Sequence, residues 1–291
     1  MSSAQNLIKK NSNSLAEVFS NVDLHLSIAK IINKHLINGE DIRELALNNL
    51  LLSKKKNIID LGCGFGFFTR GLKGKVHKNA EITGVDRHSR NKQHYLNACT
   101  EACLKGNFLS DSISVIKSFE KNTFDLAICS YALYFFPEYI EHISRSLKKD
   151  GTFVVITHAQ PHMKEFTSYV KNILEGEGID APSSLPYEVL IDNFSNENGF
   201  DLLSDWFKNV ESIKVKSSLV FNFEDYVDFA KYIRFKRSFF IPGREYEQEL
   251  LISILLDKIK SDLKKKGELK ISKEDIIFVC TEPIFNNIEN D

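Results

Sequence analysis

The stretch that decides the fold is 57-NIIDLGCGFGFFTR-70, in which an apolar run ends at an acid and three glycines follow at alternate positions. Glycine sacrifices chain entropy and side-chain packing, so this density indicates that something must lie against the bare backbone. A strand that runs into a glycine turn and then a helix presents free backbone N–H groups. The stretch therefore predicts a ligand site at the end of a strand.

The bulk composition is that of an ordinary globular protein. The chain has 291 residues, 43% hydrophobic and 26% charged, and a net charge of −1. No overall field attracts nucleic acid or anionic lipid. The first residues are polar, no apolar run is long enough to span a bilayer, and five scattered cysteines suit reduced thiols. We expect a cytoplasmic protein, monomeric or homodimeric, without nucleic-acid or membrane partners.

Beyond residue 57, strands alternate with helices along the chain. Apolar strands are predicted at 57–61, 81–86, 107–111, 124–130 and 152–159. Strands that are apolar on both faces and separated by helices indicate a doubly wound, mostly parallel α/β sheet. Two later strands complete this sheet from the C-terminal end, which makes seven.

Two ligand classes use a glycine turn of this kind, and the residues distinguish them. A dinucleotide requires G-x-G-x-x-G and an acid about twenty residues further on. Asp86 supplies the acid, but the spacing here is G-x-G-x-G and residue 67 is Phe. Asp60, two residues before Gly62, would repel a pyrophosphate and attract the ammonium group of S-adenosylmethionine (SAM). The residues favour SAM.

The stretch resembles the first motif of class I SAM-dependent methyltransferases, in which apolar residues and an acid precede Gly-x-Gly-x-Gly. Asp86 matches the acid that holds the ribose hydroxyls in that family. Asp111 matches the acid that receives the adenine amino group, although Ser110 replaces the usual glycine, and 124–138 resembles the fourth motif. The resemblance covers 57–159. It implies SAM as the cofactor, with these contacts: Asp60, Gly62, Cys63, Gly64, Gly66, Asp86, Arg87, Asp111, Ser112, Cys129 and Ser130.

The resemblance also implies a single methyltransferase domain over 1–291, with a Rossmann-like seven-stranded sheet and helical cover insertions. Length and layout are similar to the histamine N-methyltransferase type, which indicates a small-molecule acceptor. The expected parts are an N-terminal helical cover at 1–52 with a helix over 14–37, a SAM-binding core at 53–160, helical insertions at 161–207 and 222–268, and final strands at 208–221 and 269–285.

Methyl transfer is an in-line displacement, so the protein chiefly holds the reacting atoms in line. A general base is needed only when the acceptor is a hydroxyl or a protonated amine. The candidate catalytic residues are His158, after the fifth strand, and Tyr131 and Tyr134, after the fourth. The acceptor contacts are expected to be Phe19, His25, Tyr134 and His162.

A metal site is not expected. Pro161 interrupts the spacing between His158 and His162, and no acid is close to them in sequence. Metal-dependent catechol-type enzymes place acids after strand four, where this chain has 129-CSY-131.

The leading hypothesis is an enzyme, a SAM-dependent methyltransferase (EC 2.1.1.-) acting on an O or N atom of a small molecule. One alternative is an NAD-linked oxidoreductase, which the glycine spacing and Asp60 oppose. A second is a non-catalytic SAM-fold binding protein. An RNA target is disfavoured by the neutral charge.

Overall fold

The computed structural model describes residues 15, 17–178, 183–241 and 245–285. The chain divides into two compact units, each assembled from segments that are distant in sequence. We call them the sheet unit, made of Glu40–Ala159, Asn193–Val215 and Asp275–Asp291, and the helical unit, made of Met1–Gly39, Gln160–Asp192 and Lys216–Glu274.

The strands of the described residues form one sheet with the order β1-β7-β8-β6-β5-β2-β3-β4. They are β1 (Leu36–Ile37), β2 (Asn57–Leu61), β3 (Glu81–Asp86), β4 (Lys105–Ser110), β5 (Phe124–Ser130), β6 (Leu147–His158), β7 (Phe207–Asn222) and β8 (Glu268–Pro283). The five strands from β2 to β6 pair in parallel, whereas β8 is antiparallel to β6 and β1 to β7. The predicted doubly wound, mostly parallel α/β sheet is confirmed. The strand beyond the predicted seven is the two-residue β1.

The α-helices fall between and after these strands. They are α1 (Val22–His35), α2 (Ile42–Leu47), α3 (Lys92–Glu101), α4 (Ile140–Ser146), α5 (Lys164–Gly176), α6 (Pro186–Ile191), α7 (Gly199–Ser204), α8 (Tyr226–Phe235), α9 (Arg237–Phe240) and α10 (Glu245–Lys266). No helix in the described ranges combines the length and apolar character that a bilayer span requires.

Helix α1 is shorter than the predicted helix over 14–37. The Asn21 side chain accepts from the Leu24 N–H (3.1 Å) and caps the helix at Val22. A four-residue 3-10 helix, Glu17–Ser20, precedes the cap. Ser14, the predicted start, lies outside the described residues.

The core of the sheet unit is built on the central parallel strands. Strand β2 has the burial pattern of one exposed and four buried residues, and all of β5 except its last residue is buried. Ile58, Leu126, Val154 and Ile277 meet in one apolar cluster. Strands covered on both faces are expected to be continuously apolar, which explains why the sequence pattern found them.

One prediction about the glycine turn is wrong, because no α-helix follows it. The segment after Gly66 forms only the four-residue 3-10 helix Thr69–Leu72. Gly71 lies in this 3-10 helix, and Gly74, two residues beyond its end, has φ of +71°. Glycine is the weakest helix former after proline, so the segment does not propagate an α-helix. The next α-helix along the described chain is α3, after β3.

Candidate functional site

The glycine loop, residues 62–66, follows β2 and depends on backbone conformations that glycine adopts readily. Gly62, Gly64 and Gly66 have φ of +69°, +50° and +79°. A Cβ on Gly62 would lie 2.5 Å from Ala132 Cβ, and one on Gly66 would collide with Ala98 Cβ. A Cβ on Gly64 would meet nothing within 4 Å. Packing therefore requires glycine at the two ends, whereas open space lies beside the middle one.

Four N–H groups of this loop, including that of Gly64, are already hydrogen-bonded within the protein. Gly62 and Cys63 donate to the Val85 carbonyl (2.9 and 3.2 Å), and Gly66 donates to the Cys63 carbonyl (2.9 Å). The expectation of free N–H groups is wrong at these positions, because the positive φ angles fold the loop back onto the end of β3. A pyrophosphate thereby loses the donors that it needs.

Asp86 ends β3 and holds the middle of the glycine loop. Its Oδ2 accepts from the Gly64 N–H (2.9 Å) and its Oδ1 from the His88 N–H (2.8 Å). Its backbone carbonyl accepts from the Asp111 N–H (3.2 Å), which joins the ends of β3 and β4. With only 9% of its surface exposed, Asp86 is a buried carboxylate at the open position beside Gly64.

Asp60 is a second buried acid, in β2 just before the loop, and it is 1% exposed. The pKa of Asp60 is raised to about 7, chiefly by burial. A hydrogen bond from Thr69 Oγ1 (2.7 Å) opposes this rise, and the charge of Asp86 adds to it. No lysine, arginine or histidine of the described chain forms an ion pair with Asp60 or Asp86. A buried negative charge that no cation neutralises is costly, so the loop region suits a cationic ligand.

Two predicted cofactor contacts, Cys63 and Cys129, have their thiols inside the protein. Cys63 is 6% exposed, and its Sγ lies 2.7 Å from where a Cβ on Gly84 would stand. Cys129 is fully buried in β5. Burial raises the pKa of both thiols well above its usual value, so neither is a thiolate. These residues shape the site through their backbone.

The remaining predicted cofactor contacts lie at the carboxyl ends of β3, β4 and β5. The Ser130 hydroxyl oxygen is buried and has no hydrogen-bond partner in the described ranges. Asp111 and Ser112 are exposed, and Ser112 accepts from the Ser114 N–H (3.2 Å). Arg87 is exposed directly after Asp86. A buried hydroxyl without a partner at this edge is consistent with a polar ligand.

The three predicted catalytic residues lie together in the sheet unit. His158 ends β6 and is 8% exposed. The Tyr131 ring lies 4.9 Å from the His158 ring, and the Tyr134 ring stacks on the imidazole at 6.1 Å and 16°. Their positions after the fourth and fifth strands agree with this, because the carboxyl ends of parallel strands meet at one edge of the sheet.

Asp275 is the residue that sequence reasoning missed. His158 Nδ1 lies 2.8 Å from Asp275 Oδ1, and the Tyr131 hydroxyl donates to Asp275 Oδ2 (3.0 Å). The antiparallel register of β6 and β8 places Asp275 directly opposite His158. The available signal was an acid at the head of the apolar run 275-DIIFVC-280, where a buried strand ordinarily excludes a charge.

The tyrosines are poor bases in this setting. Burial, then the charge of Asp275, raises the pKa of Tyr131 well above its usual value. Burial likewise raises the pKa of Tyr134. Both therefore remain hydrogen-bond donors at neutral pH, which leaves His158 as the candidate base.

Three of the predicted acceptor contacts belong to the helical unit, whereas Tyr134 belongs to the sheet unit. Phe19 and His25 lie together, with ring centroids 4.9 Å apart, and His25 stacks on Phe235 at 5.8 Å. Burial, then the charge of Lys236, lowers the pKa of His25 to about 4. His25 is therefore a neutral member of an aromatic cluster.

His162 occupies a different environment within the helical unit. Its Nδ1 donates to the Glu274 carbonyl (2.6 Å), and its ring lies 5.7 Å from that of Tyr187. It also lines a cavity of about 190 Å³. The other residues that line this cavity are Gln160, Pro161, Thr167, Ser183, Ser184, Glu188, Ile191 and Asp192.

A separate cluster of residues in the helical unit has side chains of the types that coordinate metal ions. His35, Asp225 and Asp228 offer ligand atoms within 4.8 Å of one another. Lys34 Nζ lies 2.8 Å from Asp228 Oδ2, and His35 Nε2 lies 3.0 Å from the same oxygen. Lys34 supplies positive charge to both acids, so an ion-pair network accounts for the group.

Comparison with known proteins finds similarity to methyltransferases along part of the sequence. The family described as "Methyltransferase domain" matches residues 52–185. A demethylmenaquinone methyltransferase from Staphylococcus aureus (strain MRSA252) is 26% identical over 182 residues, 60% of this chain and 75% of that protein. A demethylmenaquinone methyltransferase from Lactococcus lactis subsp. lactis is 31% identical over 127 residues, 40% of this chain and 50% of that one.

One solved structure to which the chain is similar is that of the cyclopropane synthase MmaA2 from Mycobacterium tuberculosis. It is 13% identical, with a TM-score of 0.45 over 82% of this chain and 83% of that one. The family match, over residues 52–185, spans the glycine loop and the carboxyl ends of β2 to β6. Residues 52–185 are therefore similar to a methyltransferase domain, and the matches support an enzyme of the SAM-dependent methyltransferase type.

Proposed function

We propose that this protein binds SAM at the glycine loop and transfers its methyl group to an O or N atom of a small-molecule acceptor. The observation that carries the proposal is the pair of buried acids, Asp60 and Asp86, beside the open position at Gly64. No described cation neutralises these acids by an ion pair. A ligand that carries sulfonium and ammonium charges offsets this negative charge, whereas a pyrophosphate adds to it.

The residues present fit such a ligand. Asp86 has two carboxylate oxygens for a cis-diol, and its bonds to Gly64 and His88 fix their direction. Asp60 supplies negative charge for the ammonium end, Ser130 a hydroxyl, and Asp111 an acceptor for the adenine amino group. When bound, SAM supplies a methyl group activated on a sulfonium.

His158 is proposed as the base that takes a proton from the acceptor. It is buried, its Nδ1 is bonded to Asp275, and Tyr134 stacks on its ring. Tyr131 and Tyr134 are proposed to orient the acceptor and exclude water, since neither is a base at neutral pH. Ordered aromatic walls hold the reacting atoms in line.

A small-molecule acceptor is supported by the curated relatives, whose name gives demethylmenaquinone as their substrate. The aromatic cluster around Phe19 and His25 is suited to a flat acceptor, and the cavity beside His162 to a polar one. The remaining expectations, a single methyltransferase domain, a cytoplasmic location, and a monomer or homodimer, are proposed with the same function.

Calorimetric titration with SAM tests the cofactor part. Gly64→Val is expected to abolish binding, because its side chain fills the open space. Gly74→Val is the matched control: Gly74 also has a positive φ and open surroundings, but it lies beyond the glycine loop. The control is expected to pay the same backbone strain and to retain the wild-type Kd. Binding of NAD in place of SAM would contradict the proposal.

The acceptor part is tested by transfer of radiolabelled methyl from SAM. The probes are demethylmenaquinone and a panel of small phenols and amines. Methyl incorporation into a phenol oxygen or an amine nitrogen is the expected result. Incorporation into carbon alone would overturn the choice of acceptor atom and leave the cofactor assignment intact.

A further inference from the structure

We infer that Asp275 is a positioning residue that holds His158 in the tautomer able to accept a proton. The inference rests on the proposed function, because it concerns the base of that same reaction. It adds a residue from the C-terminal strand, 117 positions away in sequence from the histidine that it orients.

The hydrogen bonds define the tautomer. The Asp275 carboxylate is 2% exposed, and an ionised carboxylate only accepts. Its Oδ2 accepts from the Tyr131 hydroxyl (3.0 Å), and its Oδ1 lies 2.8 Å from His158 Nδ1. Nδ1 must therefore carry a proton. In the neutral imidazole the basic lone pair then lies on Nε2.

The packing leaves the imidazole little freedom to turn. His158 and Asp275 face each other in the β6–β8 register, so the ladder fixes both backbones. Tyr134 stacks on the ring and Tyr131 packs at 4.9 Å. Tyr131 has φ of +56°, a costly conformation for a tyrosine, and its N–H donates to the Ile156 carbonyl (2.8 Å). Backbone strain of this kind clusters at functional sites.

The arrangement provides a site for the proton that the acceptor loses. The proton that the acceptor loses binds at Nε2, and the electron pair of the broken O–H or N–H bond stays on the acceptor. The imidazolium that results is stabilised by the Asp275 carboxylate at 2.8 Å from Nδ1. Tyr131 keeps the second carboxylate oxygen occupied, so Asp275 does not turn away from the histidine.

Nitrogen-15 NMR of histidine-labelled full-length protein tests the inference directly. The His158 signals are assigned by their loss in His158→Asn. Wild-type protein at a pH where His158 is neutral is expected to show a protonated Nδ1 and an unprotonated Nε2. In Asp275→Asn the amide N–H can donate to Nδ1, so the proton is expected to move to Nε2. Tyr131→Phe keeps the carboxylate and is expected to keep the wild-type tautomer.

Two outcomes would overturn the inference: a wild-type His158 protonated on Nε2, or an unchanged tautomer in folded Asp275→Asn. If Asp275→Asn does not fold, the wild-type spectrum alone decides. SAM titration of the same samples separates this result from the proposed function. Asp275→Asn is expected to keep the wild-type Kd for SAM within about twofold, because a positioning residue for the base lies outside the cofactor contacts. Wild-type protein that binds no SAM would refute the proposed function whatever the tautomer.

Discussion

At the residue scale, the glycine loop and the acids beside it form one site. Asp86 accepts from Gly64, so the acid proposed to contact the ribose also holds the loop open. Gly62 and Gly66 are needed for packing, whereas Gly64 is needed for space. Glycine is thus required at the alternate positions of the loop for two different physical reasons.

Asp86→Asn is expected to weaken SAM binding about 10- to 150-fold. Hydrogen bonds to a charged group contribute about 1.5–3 kcal/mol, and the neutral amide retains the shape but not the charge. Glu81→Gln, at the opposite end of the same strand, is the control because Glu81 is exposed and paired with Lys105. Calorimetry should show a changed Kd only for Asp86→Asn; equal affinities for both variants would argue against a ribose contact at Asp86.

Asp60 makes stability depend on pH. Its folded pKa, about 7, exceeds its value of about 3.8 in the unfolded chain, so the folded state binds more protons between these limits. The stability that Asp60 contributes is therefore fully present below pH 3.8 and is lost as pH rises through 7. Between pH 5 and pH 8 the free energy of unfolding of the wild-type protein is expected to fall by about 2–3 kcal/mol more than that of Asp60→Asn. Urea denaturation at both pH values measures this, and parallel losses would show that Asp60 is ionised throughout.

At the element scale, β8 matters both for stability and for chemistry. Its C-terminal part lies beside β6, with Ile277 opposite Ile156 and both fully buried. The same register brings Asp275 to His158. A shift of one residue would move every side chain of β8 to the other face, so the buried residues also fix the position of Asp275.

Ile277→Ala is expected to destabilise the protein by about 2–5 kcal/mol, because the deleted methyl groups leave a cavity in a packed core. Ile213→Ala on β7 is the control: Ile213 is 40% exposed, and its loss is expected to cost less than about 1 kcal/mol. The free energy of unfolding in urea gives both values. A small effect at Ile277 would mean that this part of β8 is loosely packed.

At the scale of the whole molecule, SAM is expected to stabilise the folded chain. A ligand at 100 times its Kd adds about 2.7 kcal/mol, which raises Tm by about 5 °C for a chain of this size. NAD at the same concentration is expected to leave Tm unchanged. Differential scanning fluorimetry makes the comparison, and a shift with NAD alone would favour the oxidoreductase.

Most of the sheet could be predicted from the sequence. The segment after the glycine loop and the division into two units could not. Strands such as 57–61 and 124–130 are recognisable because burial on both faces imposes a continuous apolar run. The expected helix after Gly66 was wrong, since local glycines outweighed the usual succession of strand and helix. The division into a sheet unit and a helical unit depends on contacts between distant segments, which no local pattern records.

The sequence by itself determined the parallel core, the glycine loop and the acids Asp60 and Asp86 beside it, because these depend on spacing within short segments and on strand ends that share one edge. Only the tertiary structure decided that the loop donates its N–H groups to its own protein, and that Asp275 faces His158. Strand pairing across 117 residues is set by the burial of whole faces, so the partner of a catalytic candidate is visible only once the sheet is formed.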